Sequence, residues 1–204
     1  LQAQITGSGA GEMETLSAFQ ALGVRAYRVS NPDLLNQSVA ALEARPKAAR
    51  VFISASELQG STSPGKTKVT SLATFNSNVA ATRSAGTGSS TYIKWSDFNY
   101  NYTSSNGSND INFKDTFTAL SSIGVDILAN ITRSPGTFPL STVAGETDYA
   151  NKWEIWQHYY AQAYLLSRDY GVHRFSMFNE PNNWSGETEA DWFLRLRICS
   201  DAIQ

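Results

Sequence analysis

The spacing of apolar residues changes along the chain. Some segments have the spacing of a helix, and others have that of a strand. In three places, 21–29, 122–130 and 169–177, a helix-like pattern is followed by a glycine and then by a short run that begins with valine. Glycine suits this junction because helices commonly end on a left-handed residue, a conformation that glycine enters without a Cβ penalty. Repeated helix, glycine turn and strand predict α/β units in a parallel sheet.

Two of the predicted helices have an apolar face. Aromatic and aliphatic residues recur at three- and four-residue steps before Gly124 (Phe113, Phe117, Leu120, Ile123) and before Gly171 (Tyr149, Trp153, Trp156, Tyr160). Such spacing lines one side of a helix. The second helix has Thr147 or Asp148 as its candidate N-cap. We interpret its many aromatic residues as packing against a sheet rather than as a binding surface.

Further strands are predicted at Val51–Ala55 and Thr91–Phe98, with a weaker helix from Val69 to Arg83 between them. Near the end of the chain, a helical pattern that includes Trp192 and Ile198 is still in progress at Gln204. We therefore expect the sequence to stop partway through a fold.

The composition argues against several classes of function. The 204 residues are 41% hydrophobic and 17% charged, with a formal charge of -2. No basic cluster favours nucleic acid or an anionic membrane, and no apolar run approaches the roughly 20 residues that span a bilayer. Cys199 is the single cysteine, and His158 and His173 lack the spacing of metal ligands. We expect no metal, no cofactor, no nucleic-acid partner and no membrane association.

One segment matches a nucleotide-binding motif. Gly60–Thr67 satisfies the phosphate-loop pattern G-x-x-x-x-G-K-T letter by letter. That function requires a strand that ends at Gly60 and a helix that starts at Lys66. The predicted strand ends near Ala55, and the residues after Lys66 are dense in β-branched types that start helices poorly. We interpret the segment as a surface loop, with nucleotide binding as the less favoured alternative.

A second segment places a carboxylate at the end of a strand. Along 172–180, alternation puts Ser176, Phe178 and Glu180 on one face of the strand, and Phe175, Met177 and Asn179 on the other. In parallel α/β barrels, the carboxyl ends of the strands gather the catalytic residues.

The residues around Glu180 suit an acid that acts on sugars. A carboxylic acid donates a proton near neutral pH only where its surroundings disfavour the anion, and Phe178 and Trp184 could supply that desolvation. Asn179 offers a donor and an acceptor to a sugar hydroxyl, and the Trp184 ring offers a flat apolar surface for a sugar ring. Pro181 favours an extended backbone at Glu180.

The stretch MFNEPNN, residues 177–183, resembles the W-N-E-P-N signature of retaining glycoside hydrolases of clan A, with Phe178 in place of the tryptophan. The runs YIKWSDFNYN and INFKDTFTALSSIGVDILANITRSPGTFP also resemble the thirty-ninth glycoside hydrolase family, of the β-xylosidase and α-L-iduronidase type. The resemblance covers roughly residues 91–184. It implies that Glu180 is the general acid/base and that Asn179 holds the sugar 2-hydroxyl. Further implied substrate-binding residues are Asn182, Trp184, Asn130 and Trp95.

The resemblance also implies a fold. It predicts the N-terminal half of a (β/α)8 TIM barrel, truncated after the fourth strand and its helix. Strands one to four are expected at 51–55, 91–98, 125–131 and 172–179. Residues 1–50 would form an N-terminal element, which could be the start of the barrel, and 51–204 a partial glycoside hydrolase barrel.

Retaining hydrolysis requires two carboxylates about 5–5.5 Å apart. The resemblance places the nucleophile on a later strand, so we expect it to be missing from this chain and the isolated chain to be inactive. Asp126 is interpreted as a surface charge at a strand start. The expected substrate is an oligosaccharide or polysaccharide, which favours a secreted or extracytoplasmic location. A noncatalytic carbohydrate-binding barrel is the main alternative.

Overall fold

The structure is a computed structural model, and it describes about half of the chain. The described residues are 2–5, 26–29, 48–54, 69–85, 92–93, 95, 103–106, 109–132, 148–177 and 188–204.

These residues form seven strands and four helices. The strands are β1 (Gln2–Ile5), β2 (Ala26–Val29), β3 (Ala48–Ser54), β4 (Thr103–Asn106), β5 (Asn109–Asn112), β6 (Asp126–Thr132) and β7 (Arg174–Ser176). The helices are α1 (Leu72–Ser84), α2 (Phe113–Ser122), α3 (Tyr149–Tyr170) and α4 (Glu189–Ile203).

Five of the strands make one parallel sheet in the order β1-β2-β3-β6-β7. The longest pairing joins β3 to β6, from Ala48 opposite Asp126 to Ser54 opposite Thr132. The two remaining strands, β4 and β5, form a separate antiparallel hairpin. Helices α2 and α3 precede β6 and β7 in the chain, so each of these strands follows a helix and a glycine turn.

The half-barrel prediction is wrong. It placed a strand at 91–98 between the strands at 51–55 and 125–131, but β3 pairs directly with β6 and leaves no place for an intervening strand. Tyr92, Ile93 and Trp95, the described residues of that segment, lie outside any strand. The chain before residue 51 instead supplies β1 and β2 to the same sheet. The described part of the chain is a five-stranded parallel sheet with an added hairpin.

Two of the three predicted glycine turns follow the sequence prediction, and the third, at Gly23, lies outside the described residues. Gly124 has φ 70° and Gly171 has φ 66°, both in the left-handed region. Beyond α2, the Gly124 and Val125 amides donate to the carbonyls of Ser121 and Leu120, at 3.0 and 3.2 Å. These bonds satisfy carbonyls that the end of a helix would otherwise leave without donors.

The N-termini of α1, α3 and α4 are capped by side chains. The Ser71 hydroxyl accepts from the Thr74 amide at the start of α1, and the Asp148 carboxylate accepts from the Asn151 amide at the start of α3. Helix α4 starts with a capping box, in which Thr188 and Asp191 each accept from the other's backbone amide. Caps of this kind contribute about 0.5–2 kcal/mol each.

The core lies between the sheet and the helices. Alternate residues of β6, namely Ile127, Ala129 and Ile131, are buried on the helix-facing side. Phe117 and Leu120 of α2 pack into this core as predicted, but Ile123 is 39% exposed. Ile123 follows the last residue of α2, so the turn takes its side chain out of the apolar face.

Helix α3 is the central helix of the described part. Trp153 and Trp156 are fully buried and stack at 5.4 Å between ring centroids. The Trp156 Nε1 donates to Asp201 of α4 at 2.7 Å, and Arg83 of α1 makes an ion pair with the same carboxylate at 3.2 Å. The predicted packing of α3 aromatic residues against the sheet is seen in the cluster that contains Trp153, Trp156 and Tyr159 with Ile131 of β6, and residues of α1 and α4 belong to the same cluster.

Candidate functional site

The candidate site is the carboxyl edge of the parallel sheet. Because β3, β6 and β7 run parallel, their carboxyl ends meet at one edge. Asn130 of β6 lies opposite Phe52 on one side and Ser176 on the other, and this is the last pair of the β6–β7 register. In parallel sheets of α/β proteins, ligands bind at this edge.

Asn130 links two strands at this edge. Its side chain is fully buried, and its Nδ2 donates to the Ser176 Oγ at 2.8 Å. The neighbouring Ala129 and Ile131 point into the helix-facing core, so alternation puts Asn130 and Ser176 on the other face of the sheet. Breaking a hydrogen bond of a buried amide is costly. This bond therefore holds both side chains in place.

The residues before and after Ser176 also follow the predicted alternation between the two faces of the sheet. Phe175 and Met177 pack against the clusters that contain residues of the sheet and of α3. Ser176, between them, bonds to Asn130 instead. The sequence assigned Phe175 and Met177 to one face and Ser176 to the other, and the contacts confirm this assignment.

Tyr159 of α3 contacts the same strand ends from the helix side. Its side chain is 2% exposed, and its hydroxyl is 3.1 Å from the Ile131 carbonyl oxygen and 2.9 Å from the Met177 carbonyl oxygen. Ile131 and Met177 each lie one residue beyond the last register pair, Asn130 and Ser176. The phenol therefore joins the strands where their backbone pairing stops. This role was not predicted, because the spacing of residues along a helix does not indicate where the hydroxyl group of Tyr159 lies.

Trp95 lies apart from this group. It is half-buried and packs against Tyr160 and Tyr164 of α3, with centroid separations of 6.4 and 5.6 Å. Helical geometry turns Tyr160 about 100° away from Tyr159. The structure thus places Trp95 beside a different face of α3 from the one that contacts the strand ends, and not on the strand that the sequence predicted.

The other predicted site residues lie outside the described residues. These are Asn179, Glu180, Asn182 and Trp184, in the interval between Met177 and Thr188. The phosphate-loop match at Gly60–Thr67 is also outside the described residues. The predictions for these positions stay predictions.

Asp126 occupies the opposite edge of the sheet. It is the first residue of β6 and makes an ion pair of 3.2 Å with Arg174, the first residue of β7. Both side chains are largely exposed, at 46% and 68%. The prediction that Asp126 is a surface charge at a strand start is confirmed. Its position at the amino edge separates it from Asn130 and Ser176.

The described residues offer little to a metal or to thiol chemistry. Within the ranges given above, no three His, Cys, Asp or Glu side chains are grouped so as to hold a metal ion. Burial raises the pKa of the Cys199 thiol, which packs in the cluster that contains Tyr159. A thiol that keeps its proton is a poor nucleophile and a poor ligand.

Comparison of the chain with family models, with curated proteins and with solved structures gives no match. None of the helices in the described ranges is both long and apolar enough to cross a membrane.

Proposed function

We propose that this chain carries the acid/base part of a retaining glycosidase site that acts on β-linked sugars, with Glu180 as the general acid/base. In this proposal Asn179 holds the sugar 2-hydroxyl, and Asn182 and Trp184 contact the sugar. The substrate is an oligosaccharide or polysaccharide, and the protein acts outside the cytoplasm, where such polymers occur. The proposal depends on the residues of the site and not on a particular fold, because one fold can support many functions.

One observation carries the proposal: the hydrogen bond between Asn130 and Ser176. It places Ser176 on the sheet face away from α3, at the carboxyl end of a parallel strand. Glu180 is four residues further along, an even number, so an extended chain would present it on the same face as Ser176. Pro181 favours this, since the residue before a proline prefers extended backbone. The resemblance of MFNEPNN to the glycosidase signature then supplies the chemistry.

The chemistry that we propose for Glu180 is proton transfer. The protonated carboxyl group donates to the glycosidic oxygen as the bond to the leaving sugar breaks. As the carboxylate, it then takes a proton from the water that releases the sugar from the nucleophile. Asp126 is a poor candidate for the partner carboxylate, because it lies at the opposite edge of the sheet.

Binding of small sugars tests the proposal without requiring turnover. Isothermal titration of the 204-residue chain with xylobiose, cellobiose and mannobiose is expected to show saturable binding of at least one of them. Asn179→Ala should weaken that binding about tenfold, as expected for the loss of a hydrogen bond worth about 1.4 kcal/mol. Asn76→Ala, on the exposed side of α1, is the matched control and should bind like the wild type.

Two results would count against the proposal. If none of the three sugars binds at about 10 mM, the binding free energy is smaller than about 3 kcal/mol in magnitude. Binding that weak would not fit a sugar site. If wild type and Asn179→Ala bind the sugar with equal affinity, the sugar does not bind at the Asn-Glu-Pro segment. Binding that depends on Asn179, without hydrolysis by any longer form of the protein, would favour the noncatalytic carbohydrate-binding alternative.

A further inference from the structure

Three buried side chains of α1 and α3 carry polar atoms that the protein itself does not satisfy. Asn78 of α1 is 3% exposed, and Trp153 and Gln157 of α3 are 1% and 0% exposed. The Asn78 Nδ2, the Trp153 Nε1 and both polar atoms of the Gln157 amide have no hydrogen-bond partner among the protein groups that the structure describes. Buried polar atoms in folded proteins are almost always hydrogen-bonded, either to protein or to ordered water. These four atoms therefore require a partner.

Ring contacts place Asn78 against α3. The Phe75 ring of α1 is perpendicular to the Trp153 ring, with 6.3 Å between their centroids. Further along α1, the Arg83 guanidinium lies over the Trp156 ring at 5.7 Å. Later residues of α1 thus contact later residues of α3. Asn78 is buried and one turn beyond Phe75, so its amide lies on the side of α1 that packs against α3.

Gln157 carries its amide on the same side of α3 as the Trp153 indole. It follows Trp153 by four residues, a spacing that makes two side chains neighbours on a helix surface. Gln162, a second buried glutamine of α3, is turned by about 140° from Gln157 around the helix axis and belongs to another side of the helix. The contact between α1 and α3 therefore contains three nitrogen donors and the carbonyl oxygen of Gln157.

We propose that Asn78, Trp153 and Gln157 form an internal binding site for water between α1 and α3. A buried water molecule typically makes about three hydrogen bonds. It can accept from two of the nitrogen atoms and donate to the Gln157 carbonyl oxygen. All three side chains are uncharged, and burial of an ion without a charged partner is costly. Their near-complete burial favours the smallest neutral ligand, which is water.

NMR of protein with ¹⁵N-labelled tryptophan tests this site. The indole signals are assigned from Trp153→Phe and Trp156→Phe. A bound water molecule should give the Trp153 indole proton a nuclear Overhauser effect of opposite sign in laboratory-frame and rotating-frame experiments, whereas proton exchange gives the same sign in both. The Trp156 indole, which donates to Asp201 at 2.7 Å, is the comparison and should lack this effect.

A pair of matched variants connects the effect to Gln157. Gln157→Met keeps the length of the side chain and removes both polar atoms, so the water effect at Trp153 should be lost. Gln162→Met makes the same change on another side of α3 and should leave the effect as in wild type. If Gln157→Met does not fold, as judged by its urea unfolding curve, Asn78→Leu tests the same loss from α1.

Three results would overturn the water site. The first is a wild-type protein without the water effect at the Trp153 indole. The second is a variant at Gln157 or Asn78 that behaves like Gln162→Met. The third concerns Thr82, a buried residue of α1 whose exchanging hydroxyl proton also transfers magnetisation from water. Loss of the effect in Thr82→Val, together with its retention in Gln157→Met, would assign the effect to that hydroxyl.

Discussion

The Asn130 side chain donates a hydrogen bond of 2.8 Å to the Ser176 hydroxyl, and this bond links the ends of two parallel strands on the face of the sheet away from α3. On the opposite face, Tyr159 bonds to the carbonyls of the next residue on each strand. The two contacts hold the end of β7 from both sides. The residue that we propose as the acid/base follows this point in the sequence by only a few positions.

Removal of the Ser176 hydroxyl should destabilise the protein. In Ser176→Ala, the Asn130 Nδ2 loses this acceptor, and the loss of one hydrogen bond costs about 0.5–1.5 kcal/mol. The free energy of unfolding from urea titration should fall by that amount. Ser84→Ala, on an exposed position of α1, is the control and should change it by less than about 0.5 kcal/mol. Equal stability of Ser176→Ala and Ser84→Ala would show that the Asn130–Ser176 bond does not hold the strand ends.

The two glycine turns should respond alike to substitution. A Cβ atom at Gly124 or Gly171 would meet nothing within 4 Å, so only the backbone conformation resists a side chain. Alanine in the left-handed region costs about 1–2 kcal/mol. We expect Gly124→Ala and Gly171→Ala each to lower the unfolding free energy by this amount, and asparagine at either position to lower it less. A cost below about 0.3 kcal/mol for alanine would contradict the assigned left-handed conformation.

These turns illustrate what the sequence predicts well. A glycine between an apolar helix face and a valine-led run has one local explanation, and both Gly124 and Gly171 conform to it. The strand at β6 was likewise predicted within one residue, because its alternate residues are strongly apolar. Signals of this kind are local, so they do not depend on which elements later become neighbours.

The predicted strand at 91–98 shows where such reasoning fails. Tyr92, Ile93 and Trp95 have the composition of a strand, but Ile93 and Trp95 pack against α3. Apolar residues that cover a helix give the same pattern as apolar residues in a sheet. By contrast, β1 has the sequence QAQI, which carries a weak strand signal, so its place in the sheet could not be predicted. The half-barrel itself came from the family resemblance, which placed the second barrel strand at this segment.

Only part of the candidate site could be predicted from the sequence. Alternation identified the face of Ser176, and the resemblance identified Asn130, but neither could indicate that the two side chains bond to each other. The role of Tyr159 depends on the direction of one hydroxyl group across the space between a helix and two strands. Only the positions of all three elements reveal it.

The buried thiol should make stability depend on pH. Burial raises the pKa of Cys199, so the folded protein keeps a proton that the unfolded chain releases above about pH 8.5. The thiol's contribution to stability is therefore complete below that pH and is lost as the pH rises further, by up to about 1.4 kcal/mol per pH unit. Urea unfolding of wild type and Cys199→Ala at pH 7, 9 and 10 isolates this effect, since other groups titrate in both. A constant difference between the two proteins would contradict it.

The most direct test of the proposed function is the pH dependence of disaccharide binding by wild type and Glu180→Gln. The sugar that binds most tightly in the titrations described above is measured from pH 4 to pH 8. If Glu180 is an acid in a sugar site, wild-type affinity should change through an inflection above the ordinary glutamate pKa of about 4.3, and Glu180→Gln should bind with a flat profile. Superimposable profiles for the two proteins would mean that Glu180 does not contact the sugar, and the proposed glycosidase site would be refuted.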